Sequence, residues 1–295
     1  MMTKIHEISA LISSIPNSNL VDIPRLQVYS ISQPTQLVSL VYTPVVTLVL
    51  QGRKRTVIGN SSFEYGPGQY IIVSAEVTAL GQVCHASKEQ PFLALSLSLD
   101  DGIVSSLASE IIEWNISSEA ADGFGTGMTT ELELDCWKRI VDLLSRPEEL
   151  PILQPQLERE LIFRLLVGPQ GKVLRGMINT DSALARIRKV MAWIRANYTI
   201  SLSIDSMAEM AEMSLSVFYR KFKTVTALSP LQYQKQVRLY EARRKMLIEH
   251  ESAARAAFSV GYESTSQFSR EYTRLFGAPP AREIKKMREK IAVES

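Results

Sequence analysis

Two stretches of this chain, fifty residues apart, carry one pattern. Residues 214–222 read Ser-Leu-Ser-Val-Phe-Tyr-Arg-Lys-Phe, and residues 264–272 read Ser-Thr-Ser-Gln-Phe-Ser-Arg-Glu-Tyr. Ser214/Ser264, Ser216/Ser266, Phe218/Phe268, Arg220/Arg270 and Phe222/Tyr272 coincide, and Pro230 and Pro280 fall at the same offset. A repeat of this length marks a supersecondary unit used twice. Each copy follows a short alanine-containing segment, Ser206–Ala211 in one and Ala253–Phe258 in the other. Short helix, tight turn, second helix and proline, twice over, predict two helix-turn-helix units at about residues 203–224 and 252–275.

The chemistry of each second helix follows from its spacing. Phe218 and Phe222 lie four residues apart and share a face, as do Phe268 and Tyr272. Those faces are expected against the preceding helix, where the small Ala208 and Ala257 permit close approach. Ser216, Tyr219 and Arg220 form a separate polar face, matched by Ser266, Ser269 and Arg270. Arginine bonds guanine bidentately, and hydroxyls reach bases or phosphates. Lys221, Lys223 and Arg274 are placed to reach phosphate. An ordinary bundle with solvated arginines would account for one such helix. It does not account for six coincident positions at a fixed offset. Ser203, Ser214, Ser229 and Ser264 read as helix N-caps, whereas Ser216 and Ser266 read as DNA contacts.

Charge supports this division. The 295 residues carry 33 Lys+Arg and 31 Asp+Glu, a net of +2. Residues 1–178 hold 13 basic and 19 acidic residues, a net of −6, and residues 179–295 hold 20 and 12, a net of +8. A basic part beside an acidic one points to nucleic acid or a membrane surface as the partner of the basic part. No apolar run approaches the roughly 18 residues of a membrane span. Met1–Ser14 lacks the charged start, apolar core and cleavage site of a secretory signal. Cys84 and Cys136 are isolated from each other in sequence, so a cytoplasmic location is expected. With three scattered histidines (His6, His85, His250), neither a metal site nor a cofactor is expected.

The rest of the chain divides in two. Residues 5–15 have helical spacing. Between Leu26 and Leu99, β-rich runs at Leu37–Tyr42, Val45–Leu50, Lys54–Ile58, Gln69–Val73, Leu80–His85 and Phe92–Leu99 alternate with Gly/Pro turns, predicting a small barrel or sandwich. The last run alternates Leu and Ser as a half-buried strand should. A helix is expected from Asp100 to about Ile112, then a loose glycine-rich stretch at 122–127. Two further helices are expected at Thr130–Leu144, with Leu132, Cys136, Ile140, Val141 and Leu144 on one face, and at Leu153–Val167. Gly168–Gly171 is the best candidate end of this unit. Beyond it, helices are expected from Asp181 or Ser182 to about Tyr198, at Ile204–Met210, Ser214–Thr224, Pro230–His250, Ser252–Ser259, Ser264–Leu275 and Pro280–Lys290.

Residues 187–290 resemble the AraC/XylS-type transcription regulators. The resemblance rests on the paired Ser-x-Ser-x-Phe-x-Arg-x-aromatic helices, on Gly261-Tyr262-Glu263-Ser264, on Leu228-Ser229-Pro230, and on Gly277-Ala278-Pro279-Pro280 with Arg282. Glu212 departs from it, standing at a turn position where that family often has glycine. The resemblance implies a linker helix, Pro230–His250, joining two helix-turn-helix subdomains whose recognition helices enter successive major-groove segments. It makes Ser216, Tyr219 and Arg220 base-reading positions, with Thr265, Ser266, Gln267, Ser269 and Arg270 as their counterparts. Double-stranded DNA and RNA polymerase are then the expected partners.

Residues 20–100 resemble the cupin-type barrel found before the DNA-binding part in one subgroup of that family, through Val45–Gly52, Tyr65–Tyr70 and Pro91–Leu95. The expected fold is therefore two-domain. An all-β cupin-like barrel with flanking helices (1–170) binds an effector or a second copy, and an all-α domain (179–295) carries the two helix-turn-helix motifs. Tyr42, Cys84 and His85 are the candidate effector contacts, and the helices at 130–167 are the candidate homodimer surface. A cupin enzyme needs two or three histidines and a carboxylate. His85 is the one histidine between residues 26 and 99, so catalysis is not expected. The remaining alternative is a DNA-binding regulator that needs no ligand.

Overall fold

The order of apolar residues in two strands sets the architecture of the first part of the chain. In the computed structural model, β3 (Val45–Gln51) and β8 (Phe92–Ser98) are buried along almost their whole length. A strand buried on both faces needs cover on both sides. Helices cover one side here and a second sheet covers the other. The structure describes residues 1–14, 23–59, 61–110, 123–178 and 183–294. These form two compact units, Met1–Ala185 with Thr224–Ala227, and Arg186–Lys223 with Leu228–Ser295.

The first unit opens with α1 (Met2–Ser14), followed by β1 (Leu26–Ile31), β2 (Val38–Tyr42), β3, β4 (Arg53–Ile58), β5 (Ser61–Tyr65), β6 (Gln69–Val73), β7 (Val77–His85) and β8. Then come α2 (Asp101–Glu110), β9 (Phe124–Met128), α3 (Glu131–Asp142), α4 (Leu150–Val167) and α5 (Gly171–Ile178). Two antiparallel sheets result, ordered β1-β8-β3-β6-β9 and β2-β7-β4-β5. Val45, Val49, Ile71, Val73, Phe92 and Ala94 of the larger sheet pack with Ile58, Tyr65, Val77, Ala79 and Val83 of the smaller one. Val46, Leu48, Leu50, Leu93, Leu95 and Leu97 point the other way, onto Ile5 and Ile8 of α1 and Leu134, Trp137, Leu161 and Leu165 of α3 and α4.

Several expectations need correction. The Leu/Ser alternation of residues 93–98 does not separate core from solvent. Its leucines face the helices, and Ser96 is 7% exposed and faces the other sheet. The glycine-rich stretch at 123–127 is not loose: it forms most of β9, paired with β6 through Tyr70↔Gly127 and Ile72↔Gly125. A Cβ at Gly127 would fall 2.7 Å from the Tyr70 hydroxyl, so glycine is what lets this strand lie down. Leu132 is 56% exposed, and Leu134 and Trp137 take the place expected of it in the core face of α3. Pro151 starts α4 rather than preceding it, since a proline suits a first helical turn. Chain packing into this core continues past Gly168–Gly171, because Val173, Leu174 and Met177 of α5 join it. The expected caps Asp181 and Ser182, residues 111–112 of the expected α2, and Asp122 lie outside the described residues.

Beyond α5 the described residues form seven helices joined by short turns: α6 (Ala183–Ala196), α7 (Ile204–Met210), α8 (Leu215–Thr226), α9 (Pro230–Ile248), α10 (Ala253–Ser259), α11 (Thr265–Phe276) and α12 (Pro280–Glu294). Local chemistry explains the boundaries. The hydroxyls of Ser203, Ser252 and Ser264 accept backbone N–H groups at the starts of α7, α10 and α11. Ser229 and Gln232 form a reciprocal capping box before Pro230.

Candidate nucleic-acid interface and effector cavity

The two helix-turn-helix units are built alike. Phe218 and Phe222 are fully buried, their rings 5.6 Å apart, and Phe222 meets Tyr233 of α9 at 5.7 Å. Phe268 and Tyr272 are fully buried with rings 5.4 Å apart, and Phe268 also meets Tyr262. The small partners Ala208, Ala256 and Ala257 are buried as well. Both first helices end in the same Schellman turn, with Met213 N–H donating to Ala208 O and Tyr262 N–H to Ala257 O, each at 3.0 Å. The turn residues are Glu212, at φ 53°, and Gly261, at φ 90°. The copies are not identical, however. α7 and α10 begin 49 residues apart whereas α8 and α11 begin 50 apart, so the second turn holds one extra residue.

With the aromatic faces buried, the opposite faces are presented outward. On α8, Ser216, Tyr219, Arg220 and Lys223 are exposed, at helical spacing of i, i+3, i+4 and i+7. On α11, Ser266, Arg270 and Arg274 are exposed, and Thr265, Gln267 and Ser269 are half-buried. Lys221 is half-buried and lies off the stripe, at the position that Glu271 takes in the second copy. Gln267 is also turned aside, its amide donating to Glu271 at 3.2 Å. Thr273 sits on the outward stripe of α11 in register with Lys223, and its hydroxyl donates back to Ser269 O at 2.7 Å.

Sequence reading missed what holds these helices in place. Arg238 of α9 donates to the carbonyls of Tyr198 (2.6 Å), Gly261 (2.9 Å), Thr199 (3.2 Å) and Ile200 (3.2 Å). Gln234, one turn earlier, donates to Tyr198 O and Ile200 O. Arg238 thus ties the segment after α6 to the turn between α10 and α11. Burial lowers its pKa, and nearby Tyr262, Glu263 and Glu271 oppose that shift. Glu271 accepts from Lys235 of α9 (2.7 Å) and from the Tyr262 hydroxyl (2.8 Å). Burial alone would raise the Glu271 pKa, but Lys235, Tyr262 and Gln267 outweigh it and hold it below the usual carboxylate value. Lys235 and Arg238, three residues apart on α9, look like ordinary surface charges in the sequence, so no sequence signal distinguished them.

The first unit holds a cavity of about 320 Å³ between its two sheets. Its walls come from β1, β3 and β8 on one side and from β2, β4 and β7 on the other. Tyr42 is part of the lining, while Cys84 and His85, at the end of β7, are not. Cys84 is half-buried and His85 exposed. Among the described residues no cluster of His, Cys, Asp and Glu is arranged to hold a metal ion, and no helix is long and apolar enough to cross a membrane.

A two-sheet domain with a central cavity and a helical domain holding two matched helix-turn-helix units define the class, a two-domain regulator. A family model described as the N-terminus of AraC-type transcriptional regulators matches residues 22–173, and one described as a helix-turn-helix domain matches residues 207–286. The chain belongs to the AraC-type transcriptional regulators. Among curated proteins it is 31% identical over 157 residues to the transcriptional activator RhaS of Escherichia fergusonii, covering 52% of this chain and 55% of that one. It is 28% identical over 154 residues to RhaS of an Enterobacter species, covering 52% and 54%. The chain thus spans about half the length of the curated relatives it matches. Among solved structures, an apo variant of ToxT from Vibrio cholerae superposes with a TM-score of 0.59 at 10% identity, over 88% of this chain and 96% of that one. ToxT bound to an unsaturated fatty acid gives 0.58 at 9% identity, over 88% and 94%. At these identities the similarity is one of fold.

Proposed function

We propose that this protein is a sequence-specific DNA-binding transcription regulator, an activator in the manner of its RhaS relatives, that answers to a small molecule held in its first domain. The carrying observation is the matched pair of outward stripes, Ser216-Tyr219-Arg220-Lys223 on α8 and Ser266-Ser269-Arg270 with Arg274 on α11, each backed by a buried aromatic pair. In this reading α8 and α11 are the recognition helices, entering major-groove segments about one helical turn apart. Arg220 and Arg270 read bases, Ser216, Tyr219, Thr265, Ser266 and Ser269 add base or phosphate contacts, and Lys221, Lys223 and Arg274 hold phosphates. Gln267 would have to leave Glu271 to take part.

Residues 1–170 act as effector and pairing domain, and residues 179–295 bind DNA. The cavity between the sheets supports the effector role, and Tyr42 is its aromatic contact. Leu132, Ile152, Phe163 and Val167 on α3 and α4 are exposed apolar residues, which supports pairing of two copies there. RNA polymerase is the partner through which bound protein would act. The ligand shifts the balance between DNA-binding states by its unequal affinity for them.

Genomic footprinting in the cytoplasm of the source cell tests the reading. Discrete protected sites of paired half-sites are expected, with occupancy that changes with growth substrate. Uniform, sequence-independent protection would overturn it, and sites insensitive to every metabolic condition would favour a regulator that needs no ligand.

A further inference from the structure

Lys54 is out of place for a strand interior. The alternation of β4 turns Lys54, Thr56 and Ile58 inward, with Arg55 exposed. Lys54 therefore lines the cavity between the sheets, where it is the one cation, and no Asp or Glu contributes to that lining. Among the described residues no carboxylate pairs with it. Its stem runs past Gly81 of β7, where an added Cβ would stand 3.5 Å from Lys54 Cε and 2.4 Å from Leu40 Cδ1. Gly81 thus makes room for Leu40, while Lys54 would be at ordinary contact distance even from a side chain there.

The ammonium lies 5.4 Å from the centroid of the Tyr42 ring. The Tyr42 hydroxyl is buried and makes no hydrogen bond of its own, although Lys54, Thr56 and Tyr65 surround it. Thr56 and Tyr65 are already bonded to each other at 2.9 Å. Burial opposes ionisation of the Tyr42 phenol, but Lys54 outweighs it and draws its pKa below the ordinary tyrosine value. A buried hydroxyl without a partner is costly, and among the described residues the half-buried Lys54 ammonium has no carboxylate beside it. Both point at the same space, whose other walls carry an apolar patch of Val45, Val83, Phe92 and Leu40 beside the polar Thr35, Thr47, Gln82 and Ser96.

We propose that this cavity takes a small organic acid, its carboxylate bound by the Lys54 ammonium and the Tyr42 hydroxyl and its apolar body laid against Phe92, Val45 and Val83. This rests on the reading of the cavity as the effector site and adds the chemistry of what enters it. A carboxylate accepts from both donors at once, supplies the missing counter-charge, and leaves the apolar walls to grip the remainder. A neutral amide of the same shape offers a carbonyl oxygen to both donors but no counter-charge, and so holds the ammonium more weakly.

The test uses the full chain in isothermal calorimetry with 3-phenylpropionate and octanoate, each compared with its own primary amide. Saturable binding of at least one acid is expected, with the matching amide at least tenfold weaker. K54Q should lose at least tenfold in acid affinity and Y42F should lose less, with melting temperatures of the unliganded variants near that of the parent. Y42F also serves should K54Q prove misfolded. Equal binding of acid and amide, or unchanged acid affinity in K54Q and Y42F, would overturn the assignment of Lys54 and leave the effector reading standing. Binding of none of the four probes at millimolar concentration also overturns it. The effector reading fails separately, by footprints that no growth condition alters.

Discussion

Glu212 and Gly261 hold the same left-handed backbone conformation at the same point of the two helix-turn-helix units, with φ of 53° and 90°. For glycine this is free of strain. For another residue it costs roughly 1–2 kcal/mol, of which glycine's greater freedom in the unfolded chain would take back about 0.5–1 kcal/mol. Glu212→Gly is therefore expected to stabilise the helical unit by about 0.5–1 kcal/mol by this balance, less whatever the exposed contact of Glu212 with Arg186 contributes. Urea unfolding measures it, and a lower midpoint would mean that the carboxylate outweighs the strain. Gly261→Ala should act in the opposite sense, since its Cβ would lie 2.5 Å from Thr199 O.

Arg238→Ala removes a side chain bonded to four carbonyls. Gln234 still serves two of these, Tyr198 and Ile200, so the loss falls mainly on Thr199 and Gly261. A cost of about 2–3 kcal/mol is expected, near the upper range for charge-assisted bonds. Arg238→Lys restores the charge but not the fork and should recover less than half of it. Denaturant unfolding of both variants reads the difference, and full rescue by lysine would show that charge alone matters.

On DNA, Arg220→Ala and Arg270→Ala should each cost about 1–3 kcal/mol at the specific site and relax base preference locally. Lys223→Ala should weaken binding to all sequences alike and lower the salt slope by about one. Lys221 lies off the stripe, so Lys221→Ala should do less than Lys223→Ala. Fluorescence anisotropy across a salt series separates these outcomes, and equal effects of all four substitutions would contradict the division of roles.

The carboxylate of Glu271 should make the helical unit sensitive to acid. Its pKa is held below the unfolded value in the folded chain, so its contribution is complete above about pH 4.5 and is lost as pH falls through the depressed value. Tyr262, which donates to it, has its pKa pushed up by burial and by Glu271. Its contribution is present below the ordinary tyrosine value of about 10 and declines as pH rises beyond it. Melting temperature against pH should fall on both sides, and Glu271→Gln should flatten the acid limb. An acid limb unchanged in that variant would assign it to other groups.

Residues whose role is local were legible in the sequence. Ser203, Ser229 and Ser264 cap as read, Gln69–Val73 is a strand over that span, and the aromatic pairs Phe218/Phe222 and Phe268/Tyr272 are buried. Residues whose role depends on distant partners were not. β5 reads Ser-Ser-Phe-Glu-Tyr, which has no strong pattern, and it exists by pairing with β4. β9 needs Gly127 beside the Tyr70 ring. Lys54 and Arg238 look like surface charges until the fold half-buries them against distant segments. The candidate interface was legible because it repeats, whereas the cavity was not, because its walls come from six strands.

β3 and β8 have one row of side chains locked against helices and the other row turned to the cavity, where Thr47 and Ser96 meet at 2.8 Å. The two rows do different work. The outer row packs on the helices, and Val45, Val49, Phe92 and Ala94 of the inner row pack on the smaller sheet, which leaves Thr47 and Ser96 as the inner positions whose chemistry can change at least cost to folding. On the proposed effector reading, exchanging Thr47 or Ser96, or Lys54 of β4, should change which small molecules the cavity holds while leaving the helix-turn-helix units intact.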